Sequence, residues 1–242
     1  MDQASFIQEC QRIFDQNHLS CSNEQAERLY LLTIRMLEVN KYMNLTAITE
    51  EKSIILRHYV DSITTSEHLP NNASVIDVGC GAGFPTLPLA IFRPDLSITA
   101  LDGTAKRIRY VQQTADELEL KNVNAIAGRA EEYAQNHQFR EKFDVATARA
   151  VAALPTLSEL CLGFVRVGGQ MIAMKSLHAD EELTQSQRGI SLCGGTFLKK
   201  IETHLICDEA ESEQRTLLFI QKTQSTPKIY PRHFSKISKN PL

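Results

Sequence analysis

The 242-residue chain is 43% hydrophobic and 23% charged, which is enough apolar material for one sizeable core. Its formal net charge of −3 excludes a general polycation that coats nucleic acid, so positive potential has to come from local clustering. No stretch approaches the roughly 18 apolar residues of a membrane span, and the opening MDQASFIQEC lacks the regions of a secretory signal. We therefore expect a cytoplasmic protein without a membrane partner.

Apolar residues recur at helical spacing up to about Leu69, beginning with the run from Phe6 to Phe14. This periodicity predicts an N-terminal helical cap over residues 1–69. The segment LPNNAS then breaks the pattern with a proline and two asparagines, which predicts a boundary there. Residues 70–242 form the second region, and we expect the two to make one compact unit.

From Ser74 onward, short apolar runs alternate with helical stretches, which predicts a parallel sheet. The predicted strands are SVIDV, SITAL, VNAIA, FDVATA and GGQMIAMK, with helices starting near Pro85, Thr104 and Pro155. Two longer runs, GGTFLKKIETHL and EQRTLLFIQKT, are predicted to pair antiparallel along one edge. The expected class is α/β, with the mainly parallel sheet and C-terminal antiparallel hairpin that are typical of Rossmann-like methyltransferases.

The first predicted strand ends in Asp77 and runs into the glycine-rich loop of VIDVGCGAGF, residues 75–84. Glycines such as Gly79 and Gly81 let the backbone approach a ligand, and this end of an open α/β sheet borders the ligand crevice. A tight turn without a ligand is the alternative. Asp77 is placed to face the ammonium of an amino-acid-bearing cofactor, and Phe84 stands where a dinucleotide fingerprint needs its last glycine. S-adenosylmethionine, which has no pyrophosphate, is therefore favoured over NAD.

Asp102 lies 23 residues after Gly79 and directly follows the second predicted strand. An acid at this position of a Rossmann-like fold accepts hydrogen bonds from ribose hydroxyls. Capping the helix that begins near Thr104 is the competing role. Position relative to the glycine loop favours the ribose, with Gly103 and Thr104 lining the cofactor wall through their backbone.

Two further loops follow the third and fourth predicted strands. In GRAEE, residues 128–132, the backbone of Ala130 and the carboxylate of Glu131 are predicted to meet the adenine, although first-turn acids also favour a helix dipole. Arg149 follows the apolar run VATA at the carboxyl end of a strand. That position favours a functional guanidinium over a solvated one.

The sequence after the fourth strand, ARAVAAL, lacks the Asn/Asp-Pro-Pro-aromatic loop of enzymes that methylate exocyclic amines. No Pro-Cys dipeptide is present for attack on a pyrimidine carbon. A target atom that is already nucleophilic remains, and guanine N7 fits because its lone pair needs no general base. We therefore predict catalysis by alignment, which can contribute about 7 to 11 kcal/mol, with Arg149 holding cofactor and base in line.

Basic residues are predicted to converge on the same mouth and to contact RNA phosphates, although any single one is more often a solvated surface group. The candidates are Lys106, Arg107, Arg109, Arg129, Arg149, Lys175 and, in the acid-free tail KIYPRHFSKISKNPL, Arg232. Nearer the start of the chain, Asn44, Thr46, Arg57 and His58 are predicted to face RNA or to shape the entrance. The spacing of Arg57 and Asp61 also allows an ion pair across one helical turn.

The six cysteines are scattered and form no Cys-x-x-Cys pair, so no metal site or redox chemistry is indicated. We expect reduced thiols that act as small apolar side chains.

Ordered blocks over nearly the whole chain resemble the bacterial ribosomal RNA small subunit methyltransferase G family, also called glucose-inhibited division protein B. The blocks are NKYMNLTAIT (40–49), RHYVDS (57–62), DVGCGAGFPTLPLAI (77–91), KRIRYV (106–111), RAEE (129–132), FDVATARAVA (143–152), YPR and the closing KNPL.

The resemblance implies methyl transfer from S-adenosylmethionine, leaving S-adenosylhomocysteine, to N7 of a guanine in a conserved 16S ribosomal RNA loop near the decoding site. It implies cofactor contacts at Gly79, Phe84, Asp102 to Thr104, Ala130, Glu131 and Arg149. The family usually has glycine at Thr86, glutamate at Asp102 and glycine at Ser176, so this aspartate would reach the ribose less directly and Thr86 would stiffen the loop.

The expected partner is 16S ribosomal RNA or the small ribosomal subunit, and we expect a monomer. One rival is a nicotinamide oxidoreductase, which Phe84 disfavours. The other is a noncatalytic ribosome-assembly factor that keeps the fold and only binds RNA.

Overall fold

The computed structural model describes residues 2–176, 178–208 and 211–242. Seven strands form one sheet in the order β3-β2-β1-β4-β5-β7-β6. Strands β1 to β5 pair in parallel, whereas β7 pairs antiparallel with both β5 and β6. The strands are β1 Ser74–Val78, β2 Ser97–Asp102, β3 Val123–Ala127, β4 Phe143–Arg149, β5 Val165–Lys175, β6 Gly195–Asp208 and β7 Glu211–Lys222. The predicted α/β class, parallel core and terminal hairpin are confirmed.

Helices cover both faces of the sheet, as the alternating sequence pattern requires. They are α1 Gln3–Gln16, α2 Asn23–Met43, α3 Glu51–Ile54, α4 Asp61–Ile63, α5 Thr86–Phe92, α6 Ala105–Glu117, α7 Ala130–Tyr133, α8 Leu154–Leu162, α9 Ala179–Leu192 and α10 Phe234–Lys239. Among the described residues, no helix is both long and apolar enough to cross a bilayer. Nor do those residues contain a group of three or more His, Cys, Asp or Glu side chains that could hold a metal ion.

The N-terminal helices share a hydrophobic core with the sheet. Helix α1 buries Phe6 and Phe14 on one face, and the ring of Phe14 stacks on Phe92 of α5 with centroids 5.3 Å apart. A capping box starts α2, where Ser22 accepts from the backbone of Gln25 and the Gln25 side chain accepts from the backbone of Ser22. Through the shared core, the N-terminal helical cap packs directly on the sheet.

Between α3 and α4 the chain forms a π-helical turn, Ile55–Val60, which the sequence periodicity does not reveal. The turn carries Arg57 and the buried His58 toward the carboxyl ends of the strands. The ion pair between Arg57 and Asp61 that the helical spacing allows does not form. Arg57 pairs instead with Glu213, and Asp61 pairs with Arg149 and Arg215.

Candidate active site

The glycine loop, residues 79–84, crosses directly above the end of β1. Gly79 and Gly83 have φ angles of +76° and +89°, which disfavour residues with a Cβ. A Cβ added to Gly79 would lie 2.6 Å from a methyl of Val151, and one on Gly83 would lie 2.6 Å from Leu87 Cδ1. The backbone N–H of Gly79 donates to the carbonyl of Leu101 at 2.7 Å, so the loop is fixed to the end of β2.

Asp102 joins the glycine loop to the start of α6. Its Oδ2 accepts from the backbone N–H of Gly81 at 3.0 Å, and its Oδ1 accepts from that of Thr104 at 2.7 Å. The second bond goes to Thr104, which is itself the N-cap residue of α6 and makes no side-chain cap, so Asp102 bonds the residue that precedes the helix rather than capping it. Because each carboxylate oxygen can accept more than one hydrogen bond, a contact to ribose hydroxyls stays available as a prediction.

A cavity of about 300 Å³, here called the acidic cavity, opens beside Asp102 at the carboxyl ends of β1 to β4. Six predicted cofactor residues line it: Gly79, Asp102, Gly103, Thr104, Ala130 and Glu131. The other lining residues include Val151, Ala152, Leu160 and Phe234, which the sequence does not single out for this role. The structure thus brings together residues from the ends of three strands and adds an apolar side to them.

Asp77 lies beneath the glycine loop, where it is only 1% exposed. Its Oδ2 accepts from Thr86 Oγ1 at 2.6 Å, and its Oδ1 accepts from Thr147 Oγ1 at 3.4 Å. Burial raises the pKa of this carboxyl to about 6, against the opposing effects of Thr86 and the charge of Arg149. Thr86, which departs from the usual family residue, therefore supplies a hydrogen bond to a carboxylate at the base of the site.

A second cavity of about 480 Å³, here called the arginine cavity, is lined by ionisable side chains from the cap, β4, β5, α9 and β7. They are Arg57, His58, Asp61, Arg149, Lys175, Glu182 and Arg215. Arg215 and its partner Glu213 lie on the edge hairpin and belong to no recognisable motif. Only their long-range pairing reveals them.

Arg149 is held in place by the cap. Its Nη1 donates to Asp61 Oδ2 and to the carbonyl of Arg57, both at 2.9 Å. Its guanidinium carbon lies 5.5 Å from the centre of the Phe84 ring, within the range of a cation–π contact. The nearly buried Asp61 also accepts from Arg215 Nε at 3.2 Å, so one carboxylate positions two guanidinium groups.

His58 also stacks on the ring of Phe84, with centroids 4.3 Å apart and planes 6° from parallel. Its Nε2 lies 3.0 Å from Thr46 Oγ1, and the side chain of Asn40 holds the backbone of Thr46 on both its N–H and its carbonyl. Burial, with the positive charge of Arg149, lowers the pKa of His58 to about 3. His58 is therefore a neutral side chain at physiological pH.

Residues 149–152 lie between the two cavities. Ala150 faces the arginine cavity with a φ angle of +55°, an uncommon conformation for a residue with a Cβ, whereas Val151 and Ala152 face the acidic cavity. Lys175 donates to the carbonyl of Ala152 at 2.6 Å and pairs with Glu182 at 2.7 Å. Local backbone strain of this kind is common at functional sites, where surrounding contacts maintain it.

The remaining residues predicted to bind RNA are spread more widely. Lys106 and Arg109 are exposed on α6, whose first turn adjoins the acidic cavity, with Arg107 half-buried between them. Arg129 lines that cavity. Asn44 is an exposed left-handed residue that ends α2. Arg232 is bound to the buried Glu159 through two guanidinium nitrogens. RNA contacts by all of these residues stay predictions.

A doubly wound parallel sheet with a terminal antiparallel hairpin, together with a glycine loop that faces an acid at the end of β2, defines a Rossmann-like methyltransferase fold. The profile described as "GidB: rRNA small subunit methyltransferase G" matches residues 22–216. Ribosomal RNA small subunit methyltransferase G of Leuconostoc citreum (strain KM20) is 42% identical over 223 residues, which cover 90% of each chain. The chain therefore belongs to the rRNA small subunit methyltransferase G family.

Solved structures share the fold at low sequence identity. Precorrin-6y C5,15-methyltransferase from Geobacter metallireducens GS-15 has a TM-score of 0.51 at 13% identity, over 75% of this chain and 91% of its own. TYW2 of M. jannaschii, solved in complex with AdoMet, has a TM-score of 0.50 at 14% identity, over 67% of this chain and 76% of its own. Both likenesses concern the architecture alone.

Proposed function

We propose that this protein transfers a methyl group from S-adenosylmethionine to N7 of a guanine in 16S ribosomal RNA. The observation that carries the proposal is the pair of cavities on either side of residues 149–152. The acidic cavity has the carboxylates and exposed backbone suited to an adenosine, and the arginine cavity has the cations suited to a nucleotide. Family membership, and the name that the Leuconostoc relative carries, support ribosomal RNA as the substrate.

The acidic cavity fits an adenosine group by the chemistry of its donors and acceptors. Asp102 ends β2 with spare acceptor capacity for ribose hydroxyls, and Glu131, only 6% exposed, can accept from an exocyclic amine. Gly79 leaves the backbone bare where a Cβ would collide with Val151. S-adenosylmethionine supplies an electrophilic methyl when bound, and the AdoMet complex of the TYW2 structure supports this choice over a dinucleotide.

The buried carboxylate of Asp77 is assigned to the amino-acid end of the cofactor. A carboxyl with a pKa raised to about 6 by burial is mostly ionised at pH 7, and a ligand ammonium above it would stabilise that ionised form. Phe84, which stacks with His58 and lies 5.5 Å from the guanidinium carbon of Arg149, supplies an aromatic ring at the end of the glycine loop. Asp77 and Phe84 would orient the methyl toward the arginine cavity.

No described side chain in the arginine cavity is poised to remove a proton. His58 has a pKa near 3 and a ring nitrogen beside Thr46, so it is a weak base, and both oxygens of Asp61 are bound by arginines. Neutral guanine N7 carries a lone pair and no proton, so this chemistry suits it. Arg149 would contribute by alignment, because Asp61 and the Arg57 carbonyl fix its guanidinium.

Ribosomal RNA would enter from the arginine cavity and extend over α6. The cavity is lined by four cations, Arg57, Arg149, Arg215 and Lys175, and by the carboxylates of Asp61 and Glu182. Even when Glu213, which lies outside the lining and pairs with Arg57, is counted with them, one positive charge remains in excess. The half-exposed Arg57 can exchange Glu213 for a phosphate at low cost, because surface ion pairs contribute little. A cytoplasmic monomer acting on free RNA or on the small subunit completes the proposal.

Calorimetry with S-adenosylhomocysteine and with NAD, followed by transfer of tritiated methyl to 16S ribosomal RNA, tests the proposal. We expect binding of S-adenosylhomocysteine, no binding of NAD, and RNA labelling that requires Arg149. Binding of NAD alone would indicate the oxidoreductase. Binding of S-adenosylhomocysteine and RNA without label in either free RNA or subunits would indicate the noncatalytic assembly factor.

A further inference from the structure

The C-terminal segment, residues 228–242, returns from the far end of β7 and packs beside the acidic cavity. Its anchor is Arg232, whose backbone N–H and guanidinium both donate to Glu159 of α8, at 2.7 to 3.2 Å. Glu159 is 1% exposed, so this pair is a buried, bidentate one with strict geometry. Arg140 and Gln135 add bonds to the carbonyls of Tyr230 and Pro231.

Two residues beyond the anchor, Phe234 begins α10 and lines the acidic cavity. The guanidinium of Arg129 lies 5.0 Å from the centre of the Phe234 ring, and its Nε lies 3.9 Å from Glu131. Phe234 is partly exposed, whereas Ile237, the other apolar residue of α10, is fully buried. Ile237 therefore packs the helix against the protein, and the Phe234 ring lines the acidic cavity.

We propose that Phe234 is a cofactor-binding residue that forms the aromatic wall for the adenine, with Arg129 bracing its ring. This inference rests on the proposed function, since it takes the adenosine group as the occupant of the acidic cavity. Aromatic faces stack on nucleobases, and the other cavity residues nearby, Ala130, Ala152 and Leu160, offer only aliphatic surface. The basic tail thus serves the cofactor through its aromatic residue, a role distinct from RNA binding.

The test compares two ligands that share the adenosine group. S-adenosylhomocysteine reaches both ends of the proposed cofactor site, whereas 5′-methylthioadenosine lacks the amino-acid end. Phe234→Ala should weaken both ligands by the same factor, about tenfold, because the loss lies in the adenine contact. Phe234→Tyr, which keeps the ring, should restore both affinities. Phe197→Ala is the matched control, because Phe197 is also partly exposed but lies on β6 outside the cavity.

Calorimetry on the full-length protein, with thermal unfolding measured alongside, separates the outcomes. Wild-type affinity for both ligands in Phe234→Ala would overturn the inference while leaving the proposed function supported by the binding itself. Loss of S-adenosylhomocysteine affinity alone would also overturn it, because the contact would then not be to adenine. Failure of the wild-type protein to bind either ligand would overturn the proposed function and, with it, the inference.

A second measurement does not depend on the stability of a variant. Chymotrypsin cleaves after phenylalanine, so the bond between Phe234 and Ser235 reports whether this ring is covered. We expect saturating S-adenosylhomocysteine to slow cleavage at this bond at least severalfold, with cleavage after the exposed Tyr42 unchanged. Equal slowing at both bonds, or none at Phe234, would contradict a direct contact.

Discussion

Replacing Asp77 by asparagine removes a carboxyl that burial holds at a pKa of about 6, against 3.8 in an exposed state. A raised pKa means that the folded protein binds more protons than the unfolded chain, so this group's contribution to stability is complete below pH 3.8 and is lost as the pH rises through 6. This difference in pKa corresponds to about 3 kcal/mol in the free energy of unfolding. Relative to Asp77→Asn, the free energy of unfolding of the wild-type protein should fall by a little under half of this value between pH 5 and 7.

Urea unfolding of both proteins across this pH range measures the difference directly. Asp144→Asn is a matched control, because burial would raise the pKa of Asp144 but hydrogen bonds from Ser74 and Arg166 outweigh it and lower the pKa. Because the folded and unfolded pKa values of Asp144 both lie at or below 3.8, the control difference should stay nearly constant from pH 5 to 7. A difference between wild type and Asp77→Asn that stays constant from pH 4 to 7 would refute the reasoning about Asp77.

The same carboxyl makes a prediction about the ligand. If Asp77 faces the ammonium of the cofactor, the ionised form binds better, so wild-type affinity for S-adenosylhomocysteine should rise from pH 5 to 7. The affinity of Asp77→Asn should be weaker at pH 7 and should show less of this rise. If calorimetry gave the same pH dependence of affinity in the two proteins, the assignment of the cofactor's amino-acid end to Asp77 would be contradicted.

Three further predictions concern the two cavities and the predicted RNA-binding surface. Asp102→Ala should weaken S-adenosylhomocysteine binding by about 1 to 3 kcal/mol through lost hydrogen bonds, and unchanged calorimetric affinity with the fold intact would contradict its role. In single-turnover assays at saturating RNA, Arg149→Ala should slow methyl transfer more than His58→Ala does, and the pH–rate profile of the wild-type protein should show no acidic limb near neutral pH. A methyl-transfer rate that falls by several orders of magnitude in His58→Ala alone, with cofactor and RNA binding retained, would overturn the base-free mechanism. Lys106→Gln should reduce the slope of log RNA affinity against log salt concentration by about one, whereas the control Lys121→Gln, on the loop before β3, should leave the slope unchanged. Identical slopes in the two variants would contradict a phosphate contact by Lys106 on α6.

Much of the fold could be predicted because its signals are local. The run VNAIA forms β3 with the predicted bounds, and SVIDV forms β1, since short apolar runs between helical stretches have few alternatives. The π-helical turn at Ile55–Val60 could not be predicted, because its apolar residues follow a spacing close to that of an α-helix.

The same distinction between local and long-range signals applies to the candidate active site. The sequence predicts that Gly79, Asp102 and Glu131 lie together because each follows a strand and parallel strands bring their carboxyl ends to one edge, and the three line one cavity. The partners of Arg57 and Asp61 could not be found by helical spacing, since they lie on β4 and β7, at least 88 residues away. For the same reason the sequence shows Phe234 only as one residue of a basic tail, although the fold places it at the acidic cavity.

The central claim, methylation of guanine N7, is tested most directly by locating the transferred methyl. Small ribosomal subunits and free 16S RNA from cells that lack this gene are incubated with the protein and S-adenosylmethionine, then treated with chemistry that cleaves the chain at 7-methylguanosine. We expect one new cleavage site, at a single guanine, with stoichiometric methyl incorporation, and no such site when Arg149→Ala replaces the wild type. Stoichiometric incorporation without cleavage, which would mean that the methyl lies on another atom, would contradict it.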